Sequence, residues 1–145
     1  VYGERQNPAG DYACLIPKFI RFMKQGVAPT IFGDGEQTRD FTYVGDVVDA
    51  NIAAARTQKE ECFGEVFNIG AGHEHSVNEV VGSIKKILGS HIEPVHGAAV
   101  IEPRNTRADV QKVRRLLGWE PKTEFEEGLK RTIAFFTDMF KNQSS

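Results

Sequence analysis

Hydrophobic and polar positions alternate between two periods along the chain. Residues 1–8 pass from apolar Val1-Tyr2 into an Asn/Pro/Gly turn that continues through Ala9-Gly10, so they read as a strand end and a loop. Pro17 falls where a first helical turn tolerates it. Phe19, Ile20 and Met23 then recur on one face, and Gly26 is placed to stop the helix. Thr30-Ile31-Phe32 predicts a short strand, Gly33-Asp34-Gly35 a tight turn, and Phe41-Thr42-Tyr43-Val44 a second strand. Asp46 is a candidate cap for a helix over Val47–Arg56 with Val48, Ile52 and Ala55 at helical spacing.

The second half continues the alternation. Glu65-Val66-Phe67-Asn68-Ile69-Gly70 predicts a buried strand that ends in Gly70-Ala71-Gly72. Ser76 and Glu79 have capping-box spacing ahead of a helix through Val80, Val81, Ile84, Ile87 and Leu88 to Gly89. Ile92–Val95 predicts a short strand, and Ala98-Val100-Ile101 an apolar bridge into a polar loop. Asp109 can cap a helix through Val110, Val113 and Leu117 that Gly118 stops. Thr123 and Glu126 have the spacing of another capping box. Phe125, Leu129, Ile133, Phe136 and Phe140 then form one stripe along a last helix, with residues 142–145 expected to fray. Strands alternating with helices over 145 residues, with no internal repeat, predict one α/β domain over residues 1–145.

Composition narrows the function classes. A hydrophobic share of 40% and a charged share of 26% are those of an ordinary globular protein. The net charge of -2 offers no bulk attraction to nucleic acid, so an anionic partner must be met by individually placed arginines. No apolar run is long enough to cross a bilayer, and neither nucleic acid nor membrane is an expected partner. Two cysteines, Cys14 and Cys62, without a signal peptide argue for reduced thiols and a cytoplasmic setting, with Cys14 read as a small buried residue. The chain opens at Val1 rather than methionine, which suggests a fragment.

Candidate chemistry is sparse. Gly33-Asp34-Gly35 lacks the dinucleotide spacing, and Gly70-Ala71-Gly72 lacks the third glycine and reads as a turn. His73-Glu74-His75 reads as a solvated loop with no further metal ligands in view, and His91 and His96 as surface or strand-edge residues. No triad or suggestive carboxylate pair is present. Arg39 and Arg104 lie on separate loops, each beside an apolar segment, and Phe32 ends the strand before the glycine turn. Two planar cations and a ring make a kit for a pyrophosphate and a flat base. From spacing alone, a local staple of Arg39 with Asp40 or Asp34 is favoured over an anion site.

Five motifs in fixed order carry a resemblance. They are Val-Tyr-Gly-x-Arg-Gln-Asn-Pro at residues 1–8, Ile-Pro-Lys-Phe at 16–19, Gly-Asp-Gly-Glu-Gln-Thr-Arg-Asp-Phe at 33–41, Val-Phe-Asn-Ile-Gly-x-Gly at 66–72 and Leu-Gly-Trp-Glu-Pro at 117–121. Together they closely resemble the C-terminal half of extended short-chain dehydrogenase/reductases, the NAD-dependent epimerase/dehydratase family, and especially its UDP-glucose 4-epimerase group. The resemblance implies a C-terminal nucleotide-sugar-binding domain with a small mixed sheet and helices. NAD, the glycine-rich loop and the catalytic Tyr-x-x-x-Lys pair would belong to an N-terminal Rossmann part upstream of Val1, and a sugar-contacting asparagine would fall immediately before Val1.

It also implies roles for individual residues. Cys14, Leu15 and Ile16 would meet the uracil or ribose through backbone, and Thr30 and Phe32 would line the uracil. Arg39 would bind the diphosphate and Arg104 would be the second cation. Arg107 competes with Arg104 because this loop is shorter than the family's, and Lys18 is a further candidate. The implied partner is a UDP-sugar, and the implied reaction of the parent enzyme is UDP-glucose/UDP-galactose interconversion. A nucleotide-sugar dehydratase or decarboxylase, or a non-catalytic binding domain, is the alternative. Without the Rossmann sheet, the strands near Val1 and at Val66–Ile69 would present bare edges that favour self-association.

Overall fold

A computed structural model of the chain describes residues 1–8 and 14–142, the last of these by backbone alone. The turn expected through Ala9-Gly10 and the fraying expected over residues 142–145 lie outside what it describes, apart from the backbone of Asn142. The described elements run α1 (Leu15–Lys24), β1 (Thr30–Phe32), β2 (Thr38–Arg39), α2 (Val44–Arg56), β3 (His75–Ser76), α3 (Val77–Leu88), β4 (Val95–Gly97), β5 (Asn105–Thr106), α4 (Gln111–Leu117) and α5 (Phe125–Asn142). β1 pairs in parallel with β4, while β2 lies between β3, antiparallel, and β5, parallel. The architecture is the mixed α/β class that the alternation predicts.

The periodic helices form where their apolar spacing demands. α1, α3 and α5 pack on one another and bury Phe19, Ile20 and Met23 from α1, Val80, Val81 and Ile84 from α3, and Leu129, Ile133 and Phe136 from α5. Their ends carry the expected chemistry. The Ser76 hydroxyl accepts the Glu79 N–H at 3.1 Å while the Glu79 carboxylate accepts the Ser76 N–H at 2.9 Å, so two otherwise orphaned donors of α3 are satisfied reciprocally. Gly89 and Gly118 close α3 and α4 in the left-handed region. Tyr2 is buried against Tyr43 and Phe125, and its hydroxyl donates to the Phe125 carbonyl at 3.0 Å. That burial pushes its phenol pKa upward.

Several expectations are corrected. Residues 65–70 form no strand: Val66 is 79% exposed, and only Phe67 and Ile69 lean on a small second cluster of Ala50, Val110, Val113 and Trp119. An apolar run becomes a strand only with a ladder partner, and none of the described strands pairs with it. Phe41–Val44 is likewise no full strand. Tyr43 makes a single bridge to Tyr2, and α2 begins at Val44, earlier than predicted. The strand expected over Ile92–Val95 sits at Val95–Gly97, where β1 supplies its register.

Two capping assignments also change. Asp46 lies inside α2, and its buried carboxylate instead accepts the Lys122 N–H, the Thr123 N–H and the Thr123 hydroxyl at 3.1–3.2 Å. The Thr123 capping box does not form because α5 begins at Phe125, which leaves Thr123 one residue before the cap position; Asp46 ties α2 to the entry of α5 instead. Asp109 accepts the Gln111 N–H at 2.9 Å from one residue before the cap position, which Val110 holds. The predicted α2 stripe of Val48, Ile52 and Ala55 faces solvent, because this helix meets the second cluster through Ala50 and Ala53.

Candidate nucleotide-sugar site

The site is built on the strand before the glycine turn and the strand after it. Gly33 and Gly35 both adopt positive φ, near 78°, as the tight turn predicts. At Gly35 a Cβ would also collide with the Asn78 side chain, which donates to the Asp34 carbonyl at 3.0 Å and to Glu36 at 2.6 Å. The turn is thus fastened to the start of α3.

β2 is fixed from the other side by Asp40. Its carboxylate accepts the Ala71 N–H at 2.7 Å, the Gly72 N–H at 2.9 Å, the Ala108 N–H at 3.2 Å and the Thr42 hydroxyl at 3.1 Å. This explains Gly70, where a Cβ would strike Asp40 and Ala108. It also answers whether Gly70-Ala71-Gly72 cradles a dinucleotide. The N–H groups that would face a pyrophosphate already hold an internal carboxylate, so these residues do not fit NAD.

Between β1, β2 and α1 lies an open cleft of about 610 Å³. Among the residues lining it are Cys14, Leu15, Lys18, Thr30, Phe32 and Arg39, which are six of the eight predicted site residues. Phe32 is 52% exposed, so its ring is available to the cleft rather than spent in strand packing. Cys14 is exposed at the cleft mouth, which corrects its reading as a small buried residue, and it forms no disulfide with Cys62. Ile16 is buried in the core and borders a different hollow, of about 470 Å³, rather than the main cleft. Arg104 lies apart, on a smaller neighbouring hollow of about 170 Å³ that shares Phe32, Gln37, Val100 and Glu102 with the main cleft. Arg107 lines the hollow of about 470 Å³ that Ile16 borders, together with Cys14 and Arg39.

Both predicted arginines are in ion pairs, and that of Arg39 is not the one anticipated. Arg39 Nη2 donates to Glu102 Oε2 at 2.6 Å, while its Nη1 donates to the carbonyls of Thr38 at 2.6 Å and Arg104 at 3.3 Å. Neither Asp40 nor Asp34 is its partner. Arg104 Nη1 contacts both oxygens of Asp34, at 2.9 and 3.0 Å. The Glu36 N–H and then the Arg104 guanidinium hold the Asp34 carboxyl below its ordinary range. The Arg39 side chain stays 24% exposed and faces the cleft of Phe32. The ion pair therefore orients the guanidinium without removing it from the ring that would flank it.

Sequence reasoning missed Gln37 and Glu102. Gln37 Nε2 donates to the Phe32 carbonyl at 3.0 Å and to Glu102 Oε1 at 3.2 Å, joining β1 to the loop before β5. Glu102 comes 63 residues after Arg39 and no local pattern announces it; only the parallel pairing of β2 with β5 brings them together. The His73-Glu74-His75 loop is likewise occupied. His75 stacks on Phe125 with ring centroids 4.2 Å apart, and Glu74 accepts the Thr38 hydroxyl at 2.8 Å. Among the described residues no group of three His, Cys, Asp or Glu side chains could hold a metal, and no helix is long and apolar enough to cross a membrane.

A sequence profile of the NAD dependent epimerase/dehydratase family matches residues 1–70. A putative UDP-glucose 4-epimerase of Methanocaldococcus jannaschii is 42% identical over 138 residues, covering 92% of this chain and 42% of that protein. A UDP-N-acetyl-alpha-D-glucosaminuronate decarboxylase of Bacillus cytotoxicus is 39% identical over 146 residues, covering 96% of this chain and 44% of that protein. The crystal structure of a Thermotoga maritima UDP-glucose 4-epimerase with UDP-glucose superposes with a TM-score of 0.88 at 41% identity, over 96% of this chain and 44% of that one. The chain thus spans less than half the length of these relatives.

Proposed function

We propose that this chain, which belongs to the NAD-dependent epimerase/dehydratase family, grips the uridine diphosphate portion of a UDP-sugar for a UDP-glucose 4-epimerase. The observation that carries the reading is the convergence of the Arg39 guanidinium and the exposed Phe32 ring on one cleft that Leu15, Lys18 and Thr30 also line. A flat base lies against the ring, and the phosphates meet a planar cation held in place by two carbonyls. The 41% identity to an enzyme crystallised with UDP-glucose supports this substrate class.

The chain's residues account for binding and orientation. No described glycine loop cradles a dinucleotide, because Asp40 fills the one candidate. Proton and hydride transfer are therefore assigned to the length of the relatives that this chain does not match. A second reading has its own support: a decarboxylase shares 39% identity. The two readings share the uridine diphosphate grip and differ in what is done to the sugar.

The test is a titration of UDP and of UDP-glucose into the isotopically labelled chain, following backbone amide shifts. The expected result is a contiguous set of shifts at Leu15, Thr30–Phe32 and Arg39. Shifts confined to α2 and α4, or no shift at millimolar UDP, would overturn the assignment of this cleft.

A further inference from the structure

The two arginines at the site are neutralised in different ways. Asp34, the partner of Arg104, is locked by its own turn: its Oδ1 accepts the Glu36 N–H at 2.9 Å and its carbonyl accepts Asn78 at 3.0 Å. Arg104–Asp34 is a fixed staple on the outer side of the glycine turn. Glu102, the partner of Arg39, has only side-chain donors among the described residues, Arg39 at 2.6 Å and Gln37 at 3.2 Å. Its loop neighbours Val100 and Ile101 are exposed, and among the described residues no backbone N–H donates to its carboxylate. Arg39 has anchors besides Glu102, since its Nη1 donates to the carbonyls of Thr38 and Arg104.

We propose that Glu102 is a releasable internal anion that occupies Arg39 Nη2 and sets the charge a ligand must carry to take its place. The proposal rests on the uridine diphosphate reading of the cleft and assigns its charge selectivity. A ligand phosphate competes for the nitrogen that Glu102 holds and meets a like charge beside it. A neutral nucleoside reaches the Phe32 ring without disturbing the pair. Gln37 offers the displaced carboxylate a second anchor, since its amide already donates to Glu102 Oε1.

The charge ladder uridine, UMP, UDP tests this by calorimetry on the full chain, comparing wild type with Glu102→Gln and Glu102→Asp. Glutamine keeps the shape and removes the charge. The expected result is a gain of about two- to fivefold in UDP affinity, the equivalent of one partly exposed ion pair. UMP should gain less, uridine should not change, and Glu102→Asp should retain the wild-type ratio of UDP to uridine affinity. A loss of UDP affinity in Glu102→Gln would make Glu102 a support for Arg39 and overturn the gate. An equal change for uridine and UDP would overturn it as well. Absence of UDP binding by the wild-type chain would instead remove the functional reading, and the gate with it.

Discussion

The α1–α3–α5 layer and the α2–α4 flank obey the same packing physics and reach different ends. In the first, apolar stripes from three helices interlock, and Phe136, Leu129, Val80, Ile84 and Ile20 lose essentially all contact with solvent. In the second, Ala50, Val110, Val113 and Trp119 make a small cluster, while Val48, Ile52, Phe63 and Val66 remain exposed beside it. The first layer is complete within the chain. The second is a half-covered surface joined to the rest by polar ties, chiefly Asp46 reaching Lys122 and Thr123. A helical stripe reports which residues are apolar; whether a partner covers them is settled by the rest of the fold.

The largest expected effect lies in the complete layer. Phe136→Ala should destabilise the chain by about 3–5 kcal/mol, because the surrounding helices cannot collapse into the cavity. Chemical denaturation measures this, and a loss no larger than that of a surface substitution would contradict the layer's closure. Asp46→Ala tests the polar tie between the regions. It strands two backbone donors and a hydroxyl near Thr123, and about 1–3 kcal/mol should be lost. The loss should be accompanied by faster amide exchange at Lys122 and Thr123, and unchanged exchange there would deny Asp46 this role.

The smallest effect belongs to the flank. Val66→Ser should change stability by no more than about 0.5 kcal/mol, since the side chain is already in water. We propose that the same exposed apolar residues drive self-association of the chain at high concentration. Light scattering should therefore fall in Val66→Ser, and equal scattering from both proteins would place any association elsewhere.

The same contrast explains what the sequence made legible. The α1, α3 and α5 stripes, the Ser76–Glu79 capping box and the glycine stops at Gly89 and Gly118 depend on neighbours within a few residues, so their pattern is visible locally. The segment 65–70 has strand-like composition but depends on a ladder partner, which composition cannot supply. Thr123 and Glu126 have correct capping-box spacing, yet α5 begins at Phe125 and Thr123 is held one residue before its cap by the carboxylate of Asp46. In the site, the glycine turn, Phe32 and Arg39 were legible from the turn chemistry and the ordered motifs. Their connection through Gln37 and Glu102 was not, because it is created by a loop more than sixty residues away.

The grip on a uridine diphosphate is the central claim, and the affinity of UDP for the chain with and without Arg39→Ala tests it most directly. Losing a charge-assisted contact to phosphate should weaken UDP by roughly tenfold or more while uridine, which lacks the phosphates, binds as before. Equal UDP affinity in the two proteins, each shown to be folded by circular dichroism, would contradict the account.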